Sequence, residues 1–106
     1  MQPVTLINCF EVPTGHEEEF FAMWQQVNTY MRSKPGYVGH KLHRSLKTDA
    51  PFRFVNMAQW ESQEHFLAAH DEGFRALVSQ AGWAAFPHRP NLYEVIHQGQ
   101  TETLAA

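Results

Sequence analysis

The sequence predicts an α+β domain of ferredoxin-like order, β-α-β-β-α-β, an antiparallel sheet with helices on one face. Three observations predict it. Four stretches alternate apolar and polar residues with the period of a strand. Two stretches repeat apolar residues at helical spacing. Turn-forming clusters, Pro13-Thr14-Gly15, Lys34-Pro35-Gly36 and Asp49-Ala50-Pro51, punctuate them.

In chain order, Val4 to Val12 reads as a strand, with Val4, Leu6, Asn8, Phe10 and Val12 on one face. Thr14 and Glu17 then form a T-x-x-E capping box, and Glu17, Glu18 and Glu19 suit the positive end of a helix dipole. Phe20, Trp24, Val27 and Met31 share a helical face, which predicts a helix from about Gly15 to Ser33. Lys34-Pro35-Gly36 ends it. Tyr37 to Leu46 alternates as a second strand, and Phe52 to Trp60 as a third, with Phe52, Phe54, Asn56, Ala58 and Trp60 on one face. Ser62 is the N-cap of a second helical region, Gln63 to about Gln80, broken near Gly73. Ala81 to Pro90 reads as an aromatic loop, and Asn91 to His97 as the fourth strand. A single domain is expected over residues 1–99, with a flexible polar tail over 100–106.

Composition narrows the function classes. The chain has 106 residues, 43% of them apolar and 18% charged, which excludes a disordered or collagen-like chain and suits one core. One cysteine, Cys9, excludes an internal disulfide and a four-cysteine zinc site. Eight Lys and Arg against eleven Asp and Glu argue against a nucleic-acid partner. The apolar runs are far shorter than the ~20 residues of a membrane helix, and Met1-Gln2-Pro3 has no basic leader, so a cytoplasmic protein is the expectation. The sheet face opposite the helices carries Ile7, Cys9, Val55, Met57, Tyr93 and Val95, too apolar to leave in water, which predicts a homodimer.

The candidate functional residues lie on the other face. Asn56 and Trp60 are four apart on a strand, so an amide and an indole N–H overlook Ala58 together. Such donors can stabilise developing oxyanion charge; the bland alternative is a core indole beside an amide that ties down the backbone. Asn8 interrupts an apolar face of the first strand, which lies beside the third in a ferredoxin-like sheet, so it can share a pocket with Asn56. Of seven histidines none falls in a metal-binding pattern, so no metal is expected. His70, near the helix break, could accept a proton or ligate a haem iron. Trp24, Phe66 and Phe74 supply core, or the walls of a cavity for a flat ligand. No P-loop, G-x-G-x-x-G or G-x-S-x-G motif occurs, so NTPase, dinucleotide-dependent and hydrolase readings lose their usual support.

Three ordered pieces, I-N-C-F-E-V-P-T-G-H-E-E-E-F from Ile7, K-P-G-Y-V from Lys34, and F-V-N-M-A-Q-W-E-S-Q-E-H-F from Phe54, resemble the antibiotic biosynthesis monooxygenase superfamily. The resemblance implies a dimeric α/β barrel of ferredoxin-like protomers and covers the chain to about Gly99. In its cofactor-independent branch an N-x-x-x-W pair on the third strand lies in the pocket, and Asn56 and Trp60 match it. That branch implies catalysis without a cofactor: O2 and an aromatic small molecule, a phenol or quinol, give a quinone, and the deprotonated substrate supplies the electrons. A Tyr often stands further along in those enzymes; here the place is near Phe66, which leaves the proton transfers unassigned. The haem-degrading branch is the runner-up. It has an Asn on the first strand, matched by Asn8, and a Trp ten residues before a His ligand; Trp60 and His70 have that spacing, but Ala69 and Val78 occupy those aligned places. A third reading is a non-catalytic dimeric binding or stress-response module, which predicts a wet, shallow or filled cavity around Asn56; a closed apolar plug of Trp24 and Phe74 there would favour it over both enzymes.

Overall fold

The computed structural model describes residues 2–80 and 82–102, so residues 103–106 of the expected tail lie outside the described residues. The elements are β1 (Val4–Phe10), α1 (Glu17–Met31), β2 (Tyr37–Arg44), β3 (Phe54–Trp60), α2 (Gln63–Ala69), α3 (Glu72–Val78), a 3₁₀ turn (Trp83–Ala85) and β4 (His88–Tyr93). The sheet is antiparallel throughout, in the order β2-β3-β1-β4, as the ferredoxin-like reading expects.

Several boundaries differ from the sequence reading, each for a local reason. α1 starts two residues late, with His16 at the N-cap and no side-chain cap bond. The Glu17 carboxylate accepts from the Gly15 N–H (2.9 Å), so the expected box with Thr14 does not close. The second helical region breaks at His70 and Asp71, not at Gly73, because the Asp71 carboxylate accepts from Phe74 N–H (3.0 Å) and starts a new helix. Gly73 is small for another reason: a Cβ there would sit 2.2 Å from Tyr30 Oη. Ser62 caps α2 as expected, accepting from His65 N–H (3.1 Å). β4 begins at His88, inside the expected loop, and ends at Tyr93, leaving Val95 beyond it. Pro90 is tolerated because β4 is an edge strand, where a missing N–H need break no ladder bond.

The core falls into two clusters on the helix-covered face. Phe10, Val12, Phe20, Trp24, Phe54 and Phe86 form one, with Phe20 and Phe86 wholly buried. Met31, Trp60 and Ala69 anchor the other, joined by Phe66, Phe74 and Tyr37. Asp71 latches α3 to the end of α1: its carboxylate accepts from Tyr30 Oη (2.6 Å) and Lys34 Nζ (2.8 Å). The buried Arg53 donates to the Ser45 carbonyl and faces the Glu17 carboxylate (3.5 Å), tying the β2–β3 turn to the start of α1. On the opposite face of the sheet Met57 and Tyr93 are exposed and Ile7, Cys9 and Val55 half-buried. Among the described residues no helix is long and apolar enough to cross a membrane.

Candidate active site

The β1–β3 register sets the site. Along these strands the facing pairs on the helix side are Phe10–Phe54, Asn8–Asn56, Leu6–Ala58 and Val4–Trp60. Bulky rings stand at both ends, and amides and small side chains between them. The helices resting on those ends leave a cavity of about 720 Å³ over the middle. Asn8, Asn56 and Trp60 all line it. So do Trp24 from α1, Phe66 from α2, His70 at the end of α2, and Phe74 from α3. All seven candidate residues therefore share one cavity. Trp24 and Phe74 stand in the wall of this cavity and do not fill it as a closed plug around Asn56.

Three polar atoms in this group are buried without a protein partner: Asn8 Oδ1, Asn56 Oδ1 and Trp60 Nε1. Leaving a buried polar group unpaired costs roughly 1–3 kcal/mol each, so two acceptors and one donor left unpaired on residues of one cavity wall are costly features. Trp60 is 1% exposed and its ring is clamped edge-on by Tyr37 (5.1 Å between centroids) and Phe66 (5.8 Å). Such clamping fixes where the indole N–H points. His70 lies between Phe66 (tilted, 4.2 Å between centroids) and Phe74 (edge-on, 4.4 Å). Its Nδ1 lies 2.7 Å from the Phe66 carbonyl, which can only accept, so Nδ1 carries the proton and Nε2 a lone pair in the neutral ring. Among the described lining residues none is Lys, Arg, Asp or Glu. Among the described residues no group of three or more His, Cys, Asp or Glu could hold a metal ion.

Sequence reasoning missed Tyr37, Asn28 and His40. Tyr37 and Asn28 line the cavity; Asn28 Nδ2 donates to Tyr37 Oη (3.2 Å), and that oxygen lies 2.5 Å from His40 Nδ1. Simple alternation puts residues 37 and 40 on opposite faces. The register instead shifts between Tyr37 and Gly39: Tyr37 faces Trp60, Gly39 faces Gln59 and His40 faces Ala58. One extra residue, Val38, brings both side chains to the cavity face. The signal that could have found them is Gly36-Tyr37-Val38-Gly39, since a strand glycine is a common bulge marker. Burial raises the Tyr37 hydroxyl above its ordinary pKa, against the lowering effect of Asn28 and Arg32. Burial, then the Arg32 charge, lowers His40, so its ring is neutral near pH 7.

The chain matches the antibiotic biosynthesis monooxygenase family model over residues 3–79. It is 32% identical over 85 residues to a mycobilin-producing heme oxygenase of Mycobacterium tuberculosis, covering 80% of this chain and 77% of that one. Among solved structures it resembles a protein of Shewanella loihica PV-4 named as a candidate monooxygenase (TM-score 0.80, 32% identity, 92% and 97% of the two chains). It also resembles SnoaB, a cofactor-independent oxygenase of Streptomyces nogalater (TM-score 0.75, 26% identity, 97% and 99%).

Proposed function

The chain belongs to the antibiotic biosynthesis monooxygenase family, and from that premise we propose that it is a cofactor-independent monooxygenase turning an electron-rich phenol or quinol-like aromatic into a quinone. The observation that carries this reading is the set of unpaired atoms on Asn8, Asn56 and Trp60 in the wall of a cavity whose described lining residues include many rings and no Lys, Arg, Asp or Glu. A flat aromatic fits the ring-lined walls, and its hydroxyl oxygen supplies the acceptor that the Trp60 N–H lacks. Once the hydroxyl ionises, the Trp60 N–H and an amide N–H of Asn56 stabilise the anion and then the reduced oxygen species. The substrate anion gives its electrons to O2. One oxygen atom becomes the new ring carbonyl; the other leaves as water with the ring hydrogen and the hydroxyl proton. Trp24, Phe66, Phe74 and Asn8 bind the ring and its hydroxyl, and His70 borders it.

The test is O2 uptake with 1-naphthol or anthrone in metal-chelated buffer, wild type against Trp60→Phe. A wild-type rate above background, reduced by roughly 10²–10³-fold in the variant, is expected from the loss of one oxyanion donor. Equal rates remove Trp60 from the mechanism, and binding without any uptake favours a non-catalytic module.

Haem degradation is the second reading, favoured by the free Nε2 of His70 and by the similarity to the heme oxygenase. It fits less well: among the described lining residues no Lys or Arg would meet the haem carboxylates. A haem titration followed at the Soret band is expected to give no saturable complex; a saturable one lost in His70→Ala would establish this reading. The apolar outer sheet face supports a homodimer in which a second copy covers Ile7, Val55, Met57 and Tyr93.

A further inference from the structure

The reading above needs a group that takes the substrate's hydroxyl proton, and the matching position near Phe66 has no acid or base to offer. We propose that Tyr37 and His40 are that group: a two-residue proton acceptor in which Tyr37 touches the substrate hydroxyl and His40 holds the proton. The inference rests on the monooxygenase reading for its substrate class and on the geometry of β2 for its residues.

The bulge at Val38 turns Tyr37 onto the face of His40, and bulges beside pockets commonly re-aim a side chain. The Tyr37 ring meets Trp60 edge-on at 5.1 Å, so its hydroxyl belongs to the same cavity wall as the proposed oxyanion donor. The bonding capacity of that hydroxyl is only partly used. Asn28 Nδ2 can only donate, so it occupies one lone pair of Oη at 3.2 Å. With the His40 ring proton on Nε2, the single proton of Oη is donated to His40 Nδ1 at 2.5 Å. One lone pair remains to accept a hydrogen bond from a ligand hydroxyl. His40 is itself held by the edge of Trp24 at 5.3 Å.

The step balances without a co-reactant. The substrate O–H bond breaks and its proton goes to Tyr37 Oη. The Tyr37 proton moves to His40 Nδ1, leaving a phenolate in the cavity and an imidazolium behind it. Once the substrate anion has given its electrons to O2, the proton returns along the same bonds to reduced oxygen on its way to water. The electrostatics set what the pair must overcome: burial and Arg32 disfavour an imidazolium at His40, so it forms only when the substrate anion beside Tyr37 compensates it. Burial keeps the tyrosine protonated at rest, and burial with Arg32 keeps the imidazole neutral at rest, so the pair starts with Tyr37 able to pass a proton on and His40 able to take one. Arg32, at the end of α1, is the charged group that bears on both members of the pair. α1 otherwise contributes Trp24 and Asn28 beside them, and β3 contributes Ala58 and Trp60.

The probe is 1-naphthol bound under argon, its ionisation followed by the red shift of the naphtholate absorbance between pH 5 and 10. In the wild type the ionisation midpoint of the bound naphthol is expected at least one pH unit, about tenfold in equilibrium constant, below that of free naphthol. In Tyr37→Phe and in His40→Gln it is expected to return towards the free value. A measurement on the wild type alone guards against variants that fold poorly: ¹⁵N NMR of the His40 ring, which must gain a proton on Nδ1 as bound naphthol ionises. A midpoint unchanged on binding, or bound naphtholate beside a neutral His40, overturns the proposal. Coupled ionisation in the absence of air, followed by no O2 uptake when air is admitted, upholds the proton acceptor and counts against the monooxygenase reading. If naphthol does not bind, both fall.

Discussion

Replacing Asn56 by Leu separates a functional amide from a structural one, because the two roles predict opposite signs for stability. Asn56 is 7% exposed and its Oδ1 has no partner. If the amide is kept for a ligand, the folded chain carries the desolvation cost of that oxygen, roughly 1–3 kcal/mol, with no return. Leucine has nearly the same size, fits the apolar lining of Leu6 and Ala58, and removes the cost. The variant is then expected to be more stable by about 1–2 kcal/mol. At ~4–8 °C per kcal/mol for a domain near this size, Tm rises by roughly 4–16 °C. Turnover in the O2-uptake assay falls by about 10²–10³-fold, the usual cost of one missing oxyanion donor. Calorimetry and the oxygen electrode read the two halves. A fall in Tm would refute the reasoning, since it means that Asn56 ties down neighbouring backbone. A rise in Tm with unimpaired turnover would refute the catalytic half alone.

The remaining predictions concern what holds the site in place. Gly73→Ala gains about 1 kcal/mol of helix propensity but presses a methyl into Tyr30 Oη, 2.2 Å away, and overpacking of roughly 1–3 kcal/mol plus the Tyr30–Asp71 bond outweighs that gain. Urea denaturation should therefore show a less stable variant, and the loss should vanish or reverse in a Tyr30→Ala background. Hydrogen bonds from Lys34 and Tyr30, then from Phe74 N–H, hold the Asp71 carboxyl well below the usual carboxylate range. Its folded pKa is the lower one, so its contribution is present above the unfolded value near 3.9 and is lost as pH falls below it. Asp71→Asn should flatten that part of the acid limb in a series of melts from pH 6 to pH 2; an unchanged slope would show that the latch does not form. Met57→Glu puts a charge in the middle of the apolar outer face; sedimentation is expected to show a dimer for the wild type and a monomer for the variant, and a monomeric wild type would remove the dimer reading.

What could be read from the letters depended on whether a feature obeyed simple periodicity. The meeting of Asn8 and Asn56 followed from strand parity and from the neighbouring of first and third strands, and the register pairs them directly. Trp60 shares that face by the same parity. The features that escaped each broke a local rule with tertiary help. Pro90 lies in a strand because that strand is an edge. Gly73 reads as a hinge but is a point of close approach to Tyr30. Thr14 lost its cap because Glu17 turned to a nearer N–H. The bulge at Val38 inverted the face of Tyr37, so that strict alternation assigned the tyrosine and His40 to different environments.

The same register explains why there is a cavity to occupy. A sheet face packed with equal-sized apolar residues would seat the helices evenly and leave no void, since protein interiors close-pack. Here Phe10 and Phe54 prop one end, Trp60 the other, and the shortest side chain of the face, Ala58, sits between them beside two amides. The helices bridge the gap because each end is pinned independently, by the phenyl cluster around Phe20 and by the Asp71 latch to Tyr30 and Lys34. Stability is therefore concentrated at the two ends, and the middle is free to carry polar atoms that the fold itself does not satisfy. On this argument, changes at the ends should alter Tm and substrate binding together, while changes in the middle, at Asn8, Asn56 and Ala58, should alter chemistry with little loss of fold. A variant at Asn8 or Asn56 that unfolded the chain would contradict that division directly.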